Sequence, residues 1–374
     1  MRSPVNPQSR RSRPIRRRLA ALVSVLVTAG VALSGCAFSS DSGSGSGDET
    51  LTVATWKNYG ADLPWVAQQF KKETGANVRF EFSDSEANML QLLQKANGGI
   101  DVALPNLQYV QQGIDDGLFE PLDQSKLANY QDVYPALSGR DELRKDSKLY
   151  AVPWVWGASG LFYDSSAITT PPTSWSALWD PAYKSRIGLT DDPTILVPIA
   201  GLHLGEDPRN PDLAKAQPAL DDLASAAKVS TTSTQALAQA ASNHSVVLGV
   251  VDAGTVGSIQ QTSPDIRFAL PKEGGMGWVD NWAIAAKSPN KELAYKWLNF
   301  MTSPAMLAKW ANDPDAGSPV PANEKAVAMM TPATVKRIQL DTSPEQVAKL
   351  NLQLPEPADR LQSWIDAWQQ AKAG

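Results

Sequence analysis

The stretch "LTVATWKNYGADLPWVAQQFKKETGANVRFEF", residues 51–82, decides the fold class of this chain. An apolar run at residues 51–56 is followed by helical periodicity over residues 63–75, which stops at Gly75. A second apolar run, at residues 78–82, comes directly afterwards. A strand, a helix ended by glycine and another strand are typical of a β-α-β unit, whose two strands lie parallel.

The same alternation continues along the chain. Further apolar runs predict strands at residues 101–105, 186–190, 246–251 and 266–271. Helical periodicity predicts a second helix over residues 86–99, and the tail from residue 289 onward is mainly helical. We therefore predict an α/β fold with mostly parallel sheets, in which ligands bind at the carboxyl ends of strands.

The N-terminal segment is predicted to be an export signal. Residues 1–18 contain seven arginines and no acid, and an apolar run over residues 19–33 leads to "LSGC", which ends at Cys36. This order is typical of a bacterial signal peptide, here residues 1–35. "LSGC" resembles the lipobox of bacterial lipoproteins, which implies cleavage before Cys36 and lipid attachment to it. A plain signal peptide is the alternative, and Arg10–Arg11 leaves twin-arginine export open beside the general route.

Residues 36–50 are interpreted as a Gly/Ser-rich tether between the lipidated cysteine and the globular part. Because Cys36 is the only cysteine, no disulfide is expected within the globular part. No later segment approaches transmembrane length. We therefore expect a protein held by its lipid on the outer face of the cell membrane.

The charge balance favours cationic partners over nucleic acid. The chain has 34 basic and 39 acidic residues, and removal of the seven signal-peptide arginines leaves 27 against 39, a net charge near −12. An acidic surface repels nucleic acid and attracts cations over long range. An ordinary acidic exported protein would have the same balance.

Motifs for catalysis are not found in the sequence. There is no G-x-S-x-G, H-E-x-x-H or P-loop, and no spacing typical of metal ligands. The two histidines, His203 and His244, are interpreted as structural or surface residues. Catalysis by two carboxylates remains open, since a sequence cannot place two distant acids together. The expectation is a protein without enzymatic activity, cofactor or metal.

Aromatic rings and acids instead lie at the ends of several predicted strands. They are Trp56, Tyr59, Asp192, Asp252, Trp278 and Asp280. In "EGGMGWVDNWAIAAKSPN", residues 273–290, alternate positions carry Trp278, Asp280 and Trp282, which share one face of an extended strand. Indole faces attract an organic cation by about 0.5–2 kcal/mol each, and a carboxylate adds a charge-assisted hydrogen bond. For Trp154 a core and a pocket position are both open.

From Leu51 to its C-terminus the chain resembles the spermidine/putrescine-binding proteins of bacterial ABC importers. The segments that carry the resemblance include "LTVATWKNYG", "DVALPNLQYV", "YAVPWVWGASG", "SWSALWDPAYKSRIGLTDD" and "PKEGGMGWVDNWAIAAKSPNKELAYKWLNFMTSP". The resemblance implies a two-lobed, periplasmic-binding-protein-like (type II) fold with two hinge crossings and a ligand cleft. Lobe 1 is expected at residues 51–157 and 280–322, and lobe 2 at residues 158–279 and 323–374.

The resemblance also implies which residues bind the ligand. Trp56 and Tyr59 match the first aromatic pair of the family, Asp192 matches an acid that holds an ammonium group, and Trp278 and Asp280 match a ring and a carboxylate at the hinge.

Other positions depart from the family pattern. Asn106 replaces a serine, Gln108 a tyrosine, Ile195 a glutamate and Asp252 a tryptophan. Gln353 matches a family glutamine, although that alignment could slip by one residue. We expect Asp252 to restore the charge that is lost at Ile195.

The function implied is that of a substrate-binding lipoprotein of an ABC importer, which binds a polyamine or similar organic cation and docks on permease subunits in the membrane. A receptor of the same fold for another small solute is the first alternative. The second, from a different class, is an exported α/β hydrolase.

Overall fold

The computed structural model describes residues 49–314 and 319–374. The predicted signal peptide, Cys36 and most of the tether lie outside the described residues. No helix within these two ranges combines the length and the apolar character needed to cross a bilayer.

The strands are β1 (Thr50–Thr55), β2 (Asn77–Phe82), β3 (Val102–Ala103), β4 (Arg144–Lys145), β5 (Lys148–Leu149), β6 (Ala151–Asp164), β7 (Ile187–Thr190), β8 (Ala227–Thr231), β9 (Leu248–Asp252), β10 (Ile266–Ala269), β11 (Met276–Ile284), β12 (Val320–Pro321) and β13 (Asn351–Leu352). The α-helices are α1 (Pro64–Thr74), α2 (Glu86–Ala96), α3 (Leu107–Asp115), α4 (Pro135–Ser138), α5 (Pro193–Leu204), α6 (Leu213–Ala226), α7 (Thr234–Ser242), α8 (Ala253–Ile259), α9 (Lys291–Met301), α10 (Pro304–Asn312), α11 (Glu324–Val327), α12 (Pro332–Ile338), α13 (Pro344–Val347) and α14 (Ala358–Ala373). Short 3₁₀ turns are Gln124–Lys126, Tyr130–Asp132, Asp141–Leu143, Trp175–Trp179 and Pro181–Tyr183.

The first β-α-β unit forms as its sequence predicts. β1 and β2 pair in parallel, and α1 between them ends at Gly75, whose φ of 81° is left-handed. This conformation suits glycine, which has no Cβ to clash with the backbone. Val66 and Phe70, four residues apart on α1, bury one face of the helix.

The large sheet is mixed, whereas mostly parallel sheets were predicted. Its order is β2-β1-β3-β11-β6-β9-β7-β8, with β10 and β12 on β6 and β13 on β11. The groups β2-β1-β3 and β9-β7-β8 are parallel, but β3-β11, β11-β6 and β6-β9 are antiparallel. The prediction was wrong for the centre because β6 and β11 run in opposite directions between the two parallel groups.

The apolar core divides along β6 and β11. Trp154 on β6 and Val279 on β11 belong to one large cluster, which also contains buried residues of β1, α9 and residues 320–347. Leu161 and Met276, farther along the same two strands, belong to a second cluster with residues of α5, α6 and α14. β6 and β11 thus pass from one core to the other. The exact lobe boundaries stay a prediction.

Candidate functional site

The carboxylate of Asp280 lies in the middle of β11 and is only 6% exposed. The hydroxyl of Tyr59 donates to its Oδ2 at 2.6 Å, and the side-chain amide of Asn106 donates to its Oδ1 at 2.9 Å. The backbone holds this arrangement, because Asn106 and Asp280 form an antiparallel bridge just beyond β3. Both oxygens of Asp280 are therefore oriented before any ligand arrives.

Asp252 and Trp278 come together across the sheet. The indole Nε1 of Trp278 donates to Oδ2 of Asp252 at 2.8 Å. The other oxygen, Oδ1, accepts the backbone N–H of Gly254 at 2.8 Å and so caps the N-terminus of α8. One carboxylate thus has two roles, since it caps a helix and fixes the plane of an indole ring.

A glycine on β6 makes room for that ring. Gly157 pairs with Trp278, and a Cβ on Gly157 would lie 2.3 Å from Cζ2 of the indole. The close approach of ring and backbone is possible only without a side chain at this position. The register of β6 against β11 places the glycine of "VWGASG" opposite Trp278. Because this register is a tertiary feature, the sequence alone did not reveal the role of Gly157.

We expect Gly157→Ala to displace Trp278 and weaken ligand binding at least several-fold. Overpacking of this kind also costs about 1–3 kcal/mol of stability. Gly160→Ala is the matched control, because its Cβ would meet the ring of Phe268 at 2.4 Å instead. Calorimetric titration and urea unfolding of both variants check the prediction. Equal losses of affinity in the two variants would contradict it.

Asp192 caps the N-terminus of α5, which begins with Pro193. Its Oδ1 accepts the backbone N–H of Thr194 at 2.8 Å and the hydroxyl of the same residue at 2.7 Å. Gln353 reaches that hydroxyl with its Nε2 at 3.4 Å, and its backbone N–H donates to Gly277 O at 2.8 Å. This bond places Gln353 next to β11 at Gly277, the residue that precedes Trp278.

Glu86 joins the site although it was not predicted there. It is the first residue of α2, and its Oε1 accepts the backbone N–H of Asn106 at 3.1 Å. Its Oε2 is buried and has no hydrogen-bond partner in the part of the chain that the structure describes. A serine cap at Ser85 explains the helix start, but nothing in the local sequence indicates that Glu86 reaches a residue 20 positions away.

Burial raises the pKa values of the central carboxyl groups. Burial raises the pKa of Asp280 to about 6, although the hydrogen bonds from Tyr59 and Asn106 favour its ionised form. Burial also raises the pKa of Asp252, against the opposing effect of the bond from Trp278. Both acids are therefore less readily ionised in the ligand-free protein than they would be in water.

Two tyrosines lie within the electrostatic influence of these acids. Burial and then the charge of Asp280 raise the pKa of Tyr59, with smaller contributions from two further acids. Burial, then Glu86 and then Asp192, raise the pKa of Tyr109. We call these four carboxylates the acid cluster: Glu86, Asp192, Asp252 and Asp280.

Among the residues that the structure describes, the acid cluster has no basic partner. Within residues 49–314 and 319–374, no lysine, arginine or histidine forms an ion pair with any of its four members. Buried carboxylates are costly unless a positive charge or hydrogen bonds compensate them. A bound organic cation would supply the missing compensation.

Two predicted site residues lie at the periphery of the acid cluster. Trp56 follows β1, is half-buried and packs on the large core cluster, and the described chain shows no hydrogen bond or ring contact from it to the acids. The backbone N–H of Gln108 donates to Oδ1 of Asn106 at 3.1 Å. Gln108 lines a cavity of about 300 Å³, which is also lined by Tyr109 and Gln353.

Packing decides the role of Trp154, which the sequence left open. Its ring is fully buried and stacks on Trp310 at 4.7 Å, and it contacts Trp282 at 5.1 Å. Trp282 is also fully buried, so the three alternate positions of β11 do not all serve the site. The edge of Tyr59 rests on Trp154 with ring centroids 6.1 Å apart. Trp154 is therefore a core residue that supports Tyr59.

The geometry of the cluster is not that of a metal site. Throughout the part of the chain that the structure describes, no group of three or more His, Cys, Asp or Glu side chains converges as metal ligands do. His203 stacks on Trp179 at 4.0 Å, and His244 pairs with Asp164 at 2.7 Å, so both histidines have structural contacts. The four carboxylates come from separate segments of the chain, at residues 86, 192, 252 and 280.

Comparisons with known proteins show the family to which the chain is similar. The family model for bacterial extracellular solute-binding proteins matches residues 65–342. The spermidine/putrescine-binding periplasmic protein of Salmonella typhimurium is 29% identical over 332 residues, which cover 88% of this chain and 93% of the relative. The protein of the same description from Escherichia coli K12 is 30% identical over 280 residues, 73% of this chain and 78% of the relative.

A solved structure shows the same fold. The spermidine/putrescine ABC transporter substrate-binding protein PotD from Streptococcus pneumoniae superposes with a TM-score of 0.76 at 23% identity. The superposition covers 87% of this chain and 99% of that protein. The periplasmic-binding-protein-like fold predicted from the sequence is thereby confirmed.

Proposed function

We propose that this chain, which belongs to the family of bacterial extracellular solute-binding proteins, binds a polyamine or a similar organic cation and delivers it to an ABC importer. The observation that carries the proposal is the acid cluster, whose four carboxylates lack a basic partner in the described chain. The names of the relatives, which bind spermidine and putrescine, support the same ligand class.

Each part of the site suits one part of such a ligand. An ammonium group would donate a charge-assisted hydrogen bond to the carboxylate of Asp280, and such a bond is about twice as strong as a neutral one. The indole of Trp278, held in place by Asp252, offers its face to a cation or to methylene groups, each buried CH₂ contributing about 0.8 kcal/mol. Several separate acids favour a ligand with several positive charges over a monoamine.

Ligand capture would involve closure of the two lobes. β6 and β11 pass between the two large core clusters, and the acid cluster draws residues from both sides of that crossing. We assign residues 51–157 and 280–322 to lobe 1 and residues 158–279 and 323–374 to lobe 2. In this division the buried residues between positions 323 and 347 belong to lobe 2 but pack on the core cluster of lobe 1. Rotation about the crossing strands would open and close the ligand cleft between the lobes, as hinge motions do in binding proteins.

The cellular setting follows from the N-terminal sequence. Export through the signal peptide and lipid attachment at Cys36 would hold the protein outside the membrane, where it would dock on the permease subunits. In this role it has no catalytic step. A Cys36→Ser variant should be released from membranes, and its retention there would contradict the anchor.

A ligand panel tests the proposal. The chain from residue 37 onward is titrated with putrescine, spermidine and spermine, and with sugars and acidic amino acids of similar size. Because a ligand stabilises the state that binds it, only the cationic amines should raise the melting temperature. A rise with an uncharged or anionic solute alone would favour a receptor of the same fold for another ligand. Consumption of the amine over time would favour the hydrolase.

Asp252→Asn should weaken binding of the preferred amine about 10-fold or more, because a charge-assisted bond is lost. The amide oxygen of asparagine can keep the helix cap, but its amide nitrogen cannot accept the N–H of Trp278, so a loss on the order of 1 kcal/mol of stability is expected. Asp212→Asn is the matched control, since Asp212 caps α6 at an exposed position. Calorimetric titration measures both variants. Unchanged affinity in Asp252→Asn would show that Asp252 does not replace the acid missing at Ile195.

A further inference from the structure

Glu86 has an oxygen that the folded chain leaves unused. Its Oε1 accepts the backbone N–H of Asn106 at 3.1 Å, while its Oε2 is buried and has no hydrogen-bond partner within residues 49–314 and 319–374. The helix cap does not need this carboxylate, because Ser85 already accepts the N–H of Asn88. A buried acceptor without a partner lowers the stability of the protein, and an N–H donor of a bound ligand would satisfy it.

The groups that face Glu86 are acids and phenols. Asp280 faces it from β11, Tyr59 from the loop after β1, and Tyr109 from α3. Tyr109 also interacts with Asp192. No basic side chain of the described ranges pairs with Glu86. The N-terminus of α2 favours an anion at this position, yet burial and then the charge of Asp280 raise the pKa of Glu86 to about 8. Glu86 is thus largely protonated in the empty site at neutral pH.

We propose that Glu86 is a further ligand-binding residue, whose Oε2 accepts an N–H of the cation held by Asp280 and whose own proton leaves to solvent as the cation binds. The inference rests on the proposed function and names a fourth anionic anchor in the same site. The exchange is balanced, since one proton passes from the carboxyl group to water and one ligand N–H takes its place.

Such an exchange makes affinity depend on pH in a defined window. The bound cation favours the ionised form of Glu86, so binding releases a proton whenever the empty site is protonated. From pH 7 to pH 8.5 the affinity should rise about 8-fold for a group of pKa about 8, and then level off. In that window Asp280, with a pKa of about 6, is already ionised, and amines of pKa about 10 remain charged.

Titration calorimetry with spermidine in two buffers of different ionisation enthalpy counts the released protons. At pH 7 the unmodified chain should release close to one proton from this group, and at pH 9 almost none. Glu86→Gln should abolish the release and flatten the pH dependence, so its loss of affinity relative to the unmodified chain grows about 8-fold from pH 7 to pH 8.5. Glu81→Gln, at a partly exposed carboxylate that pairs with Arg79, should behave like the unmodified chain.

The possible outcomes separate the two proposals. If spermidine binds without proton release at pH 7, the inference is wrong and the proposed function stands. Release that persists in Glu86→Gln assigns the proton to another group and also contradicts the inference. If no amine binds the unmodified chain, the proposed function fails, and the inference fails with it. The proton count of the unmodified chain decides the matter even if the variant folds poorly.

Discussion

Asp280→Asn is expected to reduce binding of the amine about 100-fold or more, while the empty protein becomes more stable at pH 8. Loss of one partner of a buried, hydrogen-bonded charge pair typically costs about 2–5 kcal/mol of binding, and each 1.4 kcal/mol is about a factor of ten. The empty site responds in the opposite direction. Because burial raises the pKa of Asp280 to about 6, the ionised carboxylate at pH 8 opposes folding, and a neutral amide removes that cost.

The two effects of this substitution are measured separately. Titration calorimetry gives the change in affinity, and urea unfolding of the empty chain at pH 8 gives a stability gain on the order of 1–2 kcal/mol. Asp359→Asn is the control, since Asp359 is exposed in the first turn of α14. A merely structural role of Asp280 would instead lower stability along with affinity. That combination would contradict its assignment as the main anchor.

The empty protein is also expected to lose stability as the pH rises from 5 to 9. Glu86 and Asp280 have folded-state pKa values of about 8 and about 6, above the ordinary values of 4.5 and 3.8. Their contribution to stability is complete below pH 4 and is lost as the pH rises through 6 and then 8, several kcal/mol at most. Asp164 has the opposite effect, because burial raises its pKa but the hydrogen bonds from Ser166 and His244 lower it by more. Its contribution to the stability of the protein is therefore lost as the pH falls below about 4.

Thermal unfolding at pH 5, 7 and 9, with and without spermidine, checks this dependence. The melting temperature of the empty chain should fall across the series, and saturating spermidine should remove most of the fall, because the cation favours the ionised acids. A Glu86→Gln, Asp280→Asn double variant should show a much flatter profile without ligand. An unliganded chain that is equally stable at pH 5 and pH 9 would contradict the raised pKa values.

Local elements of the fold could be predicted because their signals lie within a few residues. The glycine that ends α1 and the proline that begins α5 are local signals of this kind, whereas the capping role of Asp192 became evident only in the structure. The strand that carries Trp278 and Asp280 was predicted from its alternation. The resemblance that predicted the family is also confirmed, because it rests on the order of short segments.

The composition of the site required the folded chain. Tyr59 and Asp280 are 221 positions apart, and Trp278 meets Asp252 from 26 positions away. Glu86 enters the site only through the backbone of Asn106, and no local pattern distinguishes it from other acids at helix starts.

The first β-α-β unit, the strands near residues 101–105, 186–190, 246–251 and 266–271, and the family could be predicted from the sequence, since backbone preference and apolar periodicity act over neighbouring residues. The folded chain was needed to establish that Trp154 is core, that the centre of the sheet is antiparallel and that Glu86 lies near Asp280. These features depend on how β6 and β11 cross between the two cores. Packing, register and burial act between residues far apart in the chain, and so they are set only once the whole fold has formed.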